Sequence, residues 1–283
     1  MRILITGAGG HLGGHLVATL QKTHEIIAVT RQIADLARPD FCNHLPPVDA
    51  IVHLAQSSHF RDPAMEAEVM AVNADSTAKL LAWGKTTGAK HFVLASTGSV
   101  YAASDALLKE SDPTQQADLY SRSKLAAEAY CARYAGDINV TVLRIFFMYG
   151  PAQQGKFMSR LIESIAQGKT VTCEGAEGFY CNPLYVTDAV TAITRALTLK
   201  GSHTVNLAGP ETISLKTLSE KIGQALGTTP VFDIKNDTPT KRIVADITHQ
   251  TALLGAPATN VVSGITQTVA DFLSQRERRR QAG

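Results

Sequence analysis

No apolar run in this chain is long enough to span a bilayer. The first one, Ile3-Leu4-Ile5, breaks at once into a glycine cluster and is too short for the core of a secretory signal. Paired cysteines are missing as well. Cys42, Cys131, Cys173 and Cys181 are scattered through 283 residues without a C-x-x-C arrangement. That speaks against a redox motif or a thiolate zinc site and for free thiols in a reducing, cytoplasmic setting. The nine histidines show no metal-ligand spacing, so no metal is expected. A formal charge of +2 gives no general attraction to nucleic acid or membrane. There is no internal repeat and no low-complexity tract. With 18% charged and 45% hydrophobic residues, the composition is that of a globular protein with a sizeable core.

What is present is alternation. Apolar runs at Arg2–Thr6, Ile26–Thr30, Ala50–Ala55, His91–Ser96 and Val140–Phe147 suit strands buried on both faces of a parallel sheet. Between them, Leu12, Leu16 and Leu20 repeat at helical spacing, and Leu80, Leu81 and Trp83 sit in a stretch ending at Gly84 or Gly88. Strand–helix alternation predicts an α/β fold with a doubly wound parallel sheet. Beyond Gly150-Pro151 the pattern loosens. It predicts a helix over 156–168, a short strand at Leu184–Val186, a helix from Asp188 to Leu199 and a strand at Thr204–Leu207. Ser214 then caps a helix carrying Leu215, Leu218, Ile222 and Leu226, stopped by Gly227. A last helix spans Ile265–Arg276, and the charged run Arg276–Arg280 reads as its solvated end.

Glycines at 7, 10 and 13 follow the first strand and open the first helix. A sharp turn, close approach of backbone to a pyrophosphate and a helix N-terminus all need that arrangement, so the loop predicts dinucleotide binding, with His11 and Leu12 inside it. The adenosine ribose is read at the end of the second strand. There the chain has Thr30-Arg31 and no carboxylate, which tilts the cofactor from NAD toward NADP.

Tyr120 and Lys124 are four apart at the start of a helix-like stretch and share one face. An ammonium beside a phenol favours the phenolate, so the pair is expected to exchange the proton of a substrate hydroxyl while hydride moves at the carbon. The strand from His91 ends in Ser96, Thr97 and Ser99, whose hydroxyls would lie at the carboxyl edge of a parallel sheet, where the cofactor crevice opens.

Together the Thr6–Gly13 loop, Ser96-Thr97-Gly98-Ser99-Val100-Tyr101 and Tyr120-x-x-x-Lys124 resemble the extended short-chain dehydrogenases/reductases, the NAD-dependent epimerase/dehydratase family. Val52-His53-Leu54-Ala55, Val72-Asn73, Leu143-Arg144 through Tyr149-Gly150-Pro151, and Asn182 through Asp188 agree with it, in family order over nearly the whole chain. The resemblance implies Thr97, Tyr120 and Lys124 as catalytic residues. It implies Gly7, Gly10 and Gly13 at the pyrophosphate, Leu54, Ala55 and Asn73 lining or supporting the cofactor site, and Ser96 and Phe146 near the nicotinamide. Ser99 and Phe147 would face substrate. The chain also departs from the family. Gly98-Ser99 replaces the Asp-Glu of its dehydratases, which disfavours sugar dehydration. Phe147 and Cys181 stand where many nucleotide-sugar members carry Asn and Arg. Segment 32–48 is short for a full third strand and helix, which would trim the adenine pocket around Asp35, Arg38 or Asp40.

These expectations combine into a Rossmann domain over 1–150 with 184–209, and a smaller α+β substrate domain over 151–183 with 210–283. Helices around Met65–Trp83 and Leu119–Tyr134 resemble those of the family's four-helix dimer interface, so a homodimer is expected. The expected activity is NAD(P)-dependent epimerisation or oxidoreduction at a carbinol carbon of a sugar, nucleotide-linked. The alternatives are an NADP-dependent reductase of a non-nucleotide carbonyl compound and a non-catalytic dinucleotide sensor.

Overall fold

All five apolar runs become strands of one sheet in the computed structural model, which describes residues 1–282. The elements, in order, are β1 (Arg2–Thr6), α1 (His11–Leu20), β2 (Glu25–Val29), β3 (Ala50–His53), α2 (Glu66–Met70), a π turn (Ala71–Asp75), α3 (Ser76–Thr87), β4 (His91–Thr97), α4 (Leu119–Arg133) and β5 (Asn139–Ile145). Then come α5 (Phe157–Ala166), β6 (Val171–Glu174), β7 (Phe179–Cys181), α6 (Val186–Ala196) and β8 (His203–Leu207). The chain closes with β9 (Ile213–Ser214), α7 (Leu215–Leu226), β10 (Phe232–Lys235), β11 (Lys241–Ile243), α8 (Thr248–Leu254) and α9 (Val261–Ala282). Among the described residues no helix is long and apolar enough to cross a membrane.

The main sheet has the order β2-β1-β3-β4-β5-β8. Its first five strands run parallel, with Thr6 level with Val29 and His53, and Thr97 level with Ile145. Ile3, Leu4, Ile5, Ile51, Phe92 and Leu94 are fully buried, as expected for strands covered on both faces. Between β2 and β3 no strand forms; Phe41–His44 makes a single 3-10 turn. Leu36, Phe41 and Val48 instead pack with Ile51, Leu80 and Leu81. The short segment covers one face with side chains, and β2 stays the outermost strand.

The chain divides into two units. The first comprises Met1–Ala102, Glu110–Ile145 and Val190–Asn206, and the second Ala103–Lys109, Phe146–Ala189 and Leu207 onward. In the second, β6 pairs with β10, and β7 lies between β11 and β9. Helices α5, α7 and α9 bury Ile162, Ile222 and Ile265 in a shared core with Tyr149 and Val171. Gly283, the last residue of the expected substrate domain, lies outside the described residues.

The structure corrects several boundaries. Leu184–Val186 is not a strand: Tyr149 pairs with Tyr185 in one isolated bridge, and α6 already starts at Val186 rather than Asp188 and stops at Ala196. The β3 run ends at His53 because Leu54 and Ala55 turn beneath Gly7. The β5 run ends at Ile145, two residues before Phe147 takes φ 39. The last helix begins four residues earlier than Ile265, where Asn260 accepts the Ser263 amide at 2.8 Å. It also absorbs the arginine run. The α7 reading holds: Ser214 caps it at 3.1 Å from the Thr217 amide, and Gly227 ends it at φ 70.

Candidate active site

Gly7 sits at φ 69, and a Cβ there would stand 2.8 Å from the Ala55 amide nitrogen; a Cβ on Gly13 would overlap the Gly7 carbonyl and Ala8. The loop therefore closes only with glycine at both positions. Gly10 forms the N-cap of α1, with no side chain bonded into the cap and no acidic residue in the first turn. The positive end of this ten-residue helix is left for an external anion. Leu12 and Gly13 are buried, so they offer only backbone. His11 is half-buried with its ring edge-on to His15, centroids 5.2 Å apart. Thr30 is half-buried just past β2, and Arg31 is exposed. The expected adenine-side groups are local: Asp35 accepts the Ala37 amide, and Arg38 pairs with Asp40. This loop, free of carboxylates, with an arginine at the end of the neighbouring strand, fits a dinucleotide phosphate.

Beside it, three turns of α4 seat on the last three residues of β4. Asp118 starts the helix by accepting the Ser121 amide at 2.7 Å. Tyr120 then hydrogen-bonds Thr97. Lys124 donates to the Ala95 carbonyl at 2.9 Å, and Glu128 accepts from Ser96. The spacing of four that puts 120, 124 and 128 on one face makes this possible. Thr97 is buried and also accepts the Ser99 amide at 3.1 Å, while Ser99 itself is exposed.

The geometry corrects the expected electrostatics. The Lys124 amine is directed at the Ala95 carbonyl. Burial raises the Tyr120 phenol above its ordinary value, and the influences pulling it back are the Thr97 hydrogen bond and the Arg61 charge. Lys124 is 2% exposed, and desolvation brings it down to about 8, against the opposing field of Glu128. Sharing a helix face put the two groups on one side of α4, but the long lysine stem carries its charge toward the strand.

The sequence did not single out Phe60 and Arg61. Phe60 meets the Tyr120 ring edge-on at 4.9 Å, and Arg61 stacks over Phe60 at 5.4 Å. Glu128 and Arg144 were missed as a pair too. Arg144 holds Glu128 at 2.7 Å with both side chains nearly buried. A charged residue in an otherwise apolar strand, and an acid one turn past Lys124, were the available signals.

Behind the site runs a buried polar brace. Asn73, in the π turn, accepts the Ser57 amide at 2.9 Å and donates to Ser123 at 3.0 Å; Ser123 in turn bonds the Tyr120 carbonyl. Its amide is thus spent on holding α4. Ser96 likewise gives its hydroxyl to Glu128. His53 bonds Thr6 at 2.6 Å and Ser76 at 3.1 Å. Because Thr6 accepts from Ala55 and Ser76 donates to Val72, the pattern assigns the His53 proton to Nε2. Burial, with the Lys124 charge, takes His53 down to about 3, so it stays neutral as expected for a core histidine.

Phe146 and Phe147 belong to the second unit. Phe146 is 1% exposed and donates its amide to the Leu207 carbonyl. Phe147 holds a left-handed backbone, costly for an aromatic residue. Its ring stacks on Phe179 at 5.5 Å and meets Phe157 at 6.0 Å.

Comparison with known proteins agrees with this architecture. The profile of the NAD dependent epimerase/dehydratase family matches residues 3–208. The protein named Uncharacterized UDP-glucose epimerase YtcB, from Bacillus subtilis (strain 168), is 28% identical, over 95% of this chain and 97% of that one. A Probable UDP-glucuronate 4-epimerase from Rhizobium meliloti (strain 1021) is 25% identical, over 99% of this chain and 98% of that one. The solved structure of MoeE5 in complex with UDP-glucuronic acid and NAD matches with a TM-score of 0.86 at 25% identity, covering 97% of this chain and 100% of that one.

Proposed function

The chain belongs to the NAD dependent epimerase/dehydratase family, and on that premise we propose that it is an NAD(P)-dependent epimerase acting on a carbinol carbon of a nucleotide-linked sugar. The observation that carries this reading is the seating of Tyr120 on Thr97 and of Lys124 on Ala95 at the carboxyl end of β4. Parallel sheets present their chemistry at that edge. A bare structural helix has no need of a buried lysine there.

The residues divide as follows. Gly7, Gly10 and Gly13 shape the loop that holds the pyrophosphate, and the first turn of α1 supplies the positive end. When bound, the nicotinamide supplies a hydride acceptor and donor and, oxidised, a further positive charge. Thr97 orients the substrate oxygen. Tyr120 takes the carbinol proton as a phenolate and returns it as a phenol; the positive charge of the oxidised cofactor, when bound, would favour the phenolate that burial alone disfavours. Lys124 holds a charge at the end of β4, where it serves the cofactor's ribose rather than the phenol. Ser99 and Phe147 contact substrate, with the second unit as the substrate domain and the first as the cofactor domain. The relatives' names favour epimerisation over net reduction.

The cofactor is a nicotinamide dinucleotide, and we infer a preference for NADP(H), supported by exposed Arg31 at the end of β2 where no carboxylate stands. The four free thiols, three of them buried, support a cytoplasmic enzyme. A homodimer is supported by the groove along α3 and α4, where Ala78, Ala82, Tyr130 and Tyr134 are bordered by the charged Lys85, Arg133 and Asp137.

The deciding experiment incubates the protein and its Tyr120→Phe variant with UDP-glucose and UDP-glucuronate, with NAD or NADP, and follows the anomeric protons by NMR. Appearance of the C4 epimer with wild type and a loss of at least about 100-fold in the variant supports the reading. Unchanged turnover in Tyr120→Phe removes it.

A further inference from the structure

Glu128 lies one helical turn past Lys124 and takes no part in the chemistry proposed above. Its carboxylate accepts from Ser96, from Arg144 Nε at 3.2 Å and from Arg144 Nη2 at 2.7 Å. Arg144 is fastened in turn by the Tyr101 hydroxyl at 2.5 Å and the Glu110 carbonyl at 3.3 Å. Tyr101 donates its own hydroxyl to Asn206 Oδ1 at 2.9 Å. A buried ion pair is poor value as a fold stabiliser, since desolvation of both charges offsets their attraction. Here the pair sits next to a third buried charge. Lys124 bonds Ala95 and Glu128 bonds Ser96, consecutive residues of β4, so the two side chains lie against the same stretch of backbone.

We infer that Glu128 is a positioning residue for Lys124: its carboxylate, fixed by Arg144 and Ser96, is the counter-charge that keeps the Lys124 ammonium protonated and aimed at the end of β4. The titratable and charged groups around that ammonium are Tyr120 and Glu128 on α4, His53 on β3 and, behind Glu128, Arg144 on β5. His53 is neutral, and Tyr120 is a phenol raised by burial. Glu128 is therefore the one anion of the set. It opposes the burial that takes Lys124 down to about 8. Without it that burial would go unopposed and the lysine would hold its proton less tightly.

This inference rests on the proposed role of Lys124, but its test does not need a substrate. The full chain is labelled with 13Cε-lysine, the Lys124 signal is assigned by its loss in Lys124→Arg, and its titration is followed by NMR in wild type and Glu128→Gln. The expected result is a downward displacement of about one pH unit or more in the variant. In parallel, NAD(P)H affinity at pH 8 should fall several-fold in Glu128→Gln. If that variant does not fold, Glu128→Asp decides, with an expected fall of roughly half a unit. A Glu128 that merely holds the fold would lower the melting temperature of both variants and leave the Lys124 titration unmoved, and that result overturns the inference. A displaced titration in a protein that epimerises no sugar nucleotide would instead sink the proposed function and leave this inference standing.

Discussion

Replacing Lys124 with methionine should make the protein more stable while abolishing its activity. Lys124 is 2% exposed, and its ammonium is carried into the interior at the cost recorded in its fall from 10.5 to about 8. That displacement corresponds to about 3 kcal/mol against folding in the charged form. Methionine fills a similar volume without the charge, but it forfeits the 2.9 Å hydrogen bond to Ala95, worth about 1 kcal/mol. The net gain is about 2 kcal/mol, or roughly 4–8 °C in melting temperature for a chain of this size. The pH dependence gives the sharper check. Between pH 8 and 10.5 the folded protein has released the Lys124 proton and the unfolded chain has not, so wild type gains stability as pH rises through that window. The advantage of Lys124→Met should be full below pH 8 and should reverse above about 10.5, where only the lost hydrogen bond of about 1 kcal/mol remains. Paired urea melts from pH 7 to 10.5 measure it. A variant less stable than wild type at pH 7, or a stability difference flat across the window, would refute the reasoning.

Gly13→Ala should lose dinucleotide binding altogether and fall by several degrees in melting temperature, because its Cβ would overlap Gly7 and Ala8; fluorescence titration with NADPH reads the first and calorimetry the second. Arg31→Ser should weaken NADP(H) by about tenfold and leave NAD(H) nearly unchanged, as loss of one charge-assisted contact to a 2′-phosphate predicts; equal losses for both cofactors would count against the NADP preference. Charging the α3–α4 groove by Ala82→Glu should convert a sedimenting dimer to monomer without lowering the thermal stability of the chain; a wild-type protein that sediments as a monomer at micromolar concentration removes the dimer.

The sheet was legible because strands buried on both faces leave continuous runs of Ile, Val and Leu, and because glycine punctuates the turn at Gly7 and the stop at Gly227. The trimmed region after β2 was legible from its length alone. The end of β5 was not, since apolar character continues into Phe146 and Phe147 after the backbone has left the sheet. Of the site, Tyr120 and Lys124 were found from spacing and Thr97 from the family resemblance, and the first two do converge on the end of β4 where Thr97 stands. Their electrostatics were read wrongly, because spacing tells which side of a helix a lysine leaves from and not where a flexible four-carbon stem delivers its charge. Asn73 and Ser96 turned out to spend their polar groups inward. Phe60 and the pairing of Glu128 with Arg144 escaped notice because their contacts lie 16 or more residues away in sequence.

The trimmed segment has a consequence for how this molecule meets its neighbours. With no strand beyond β2, one margin of the central sheet carries a row of main-chain donors and acceptors that pair on a single side. Such margins invite strand addition from other chains during synthesis and refolding. β2 is only five residues long and opens with the exposed carboxylate of Glu25, tied across to Arg2 at 2.9 Å. Brevity and a charged entry discourage that recruitment.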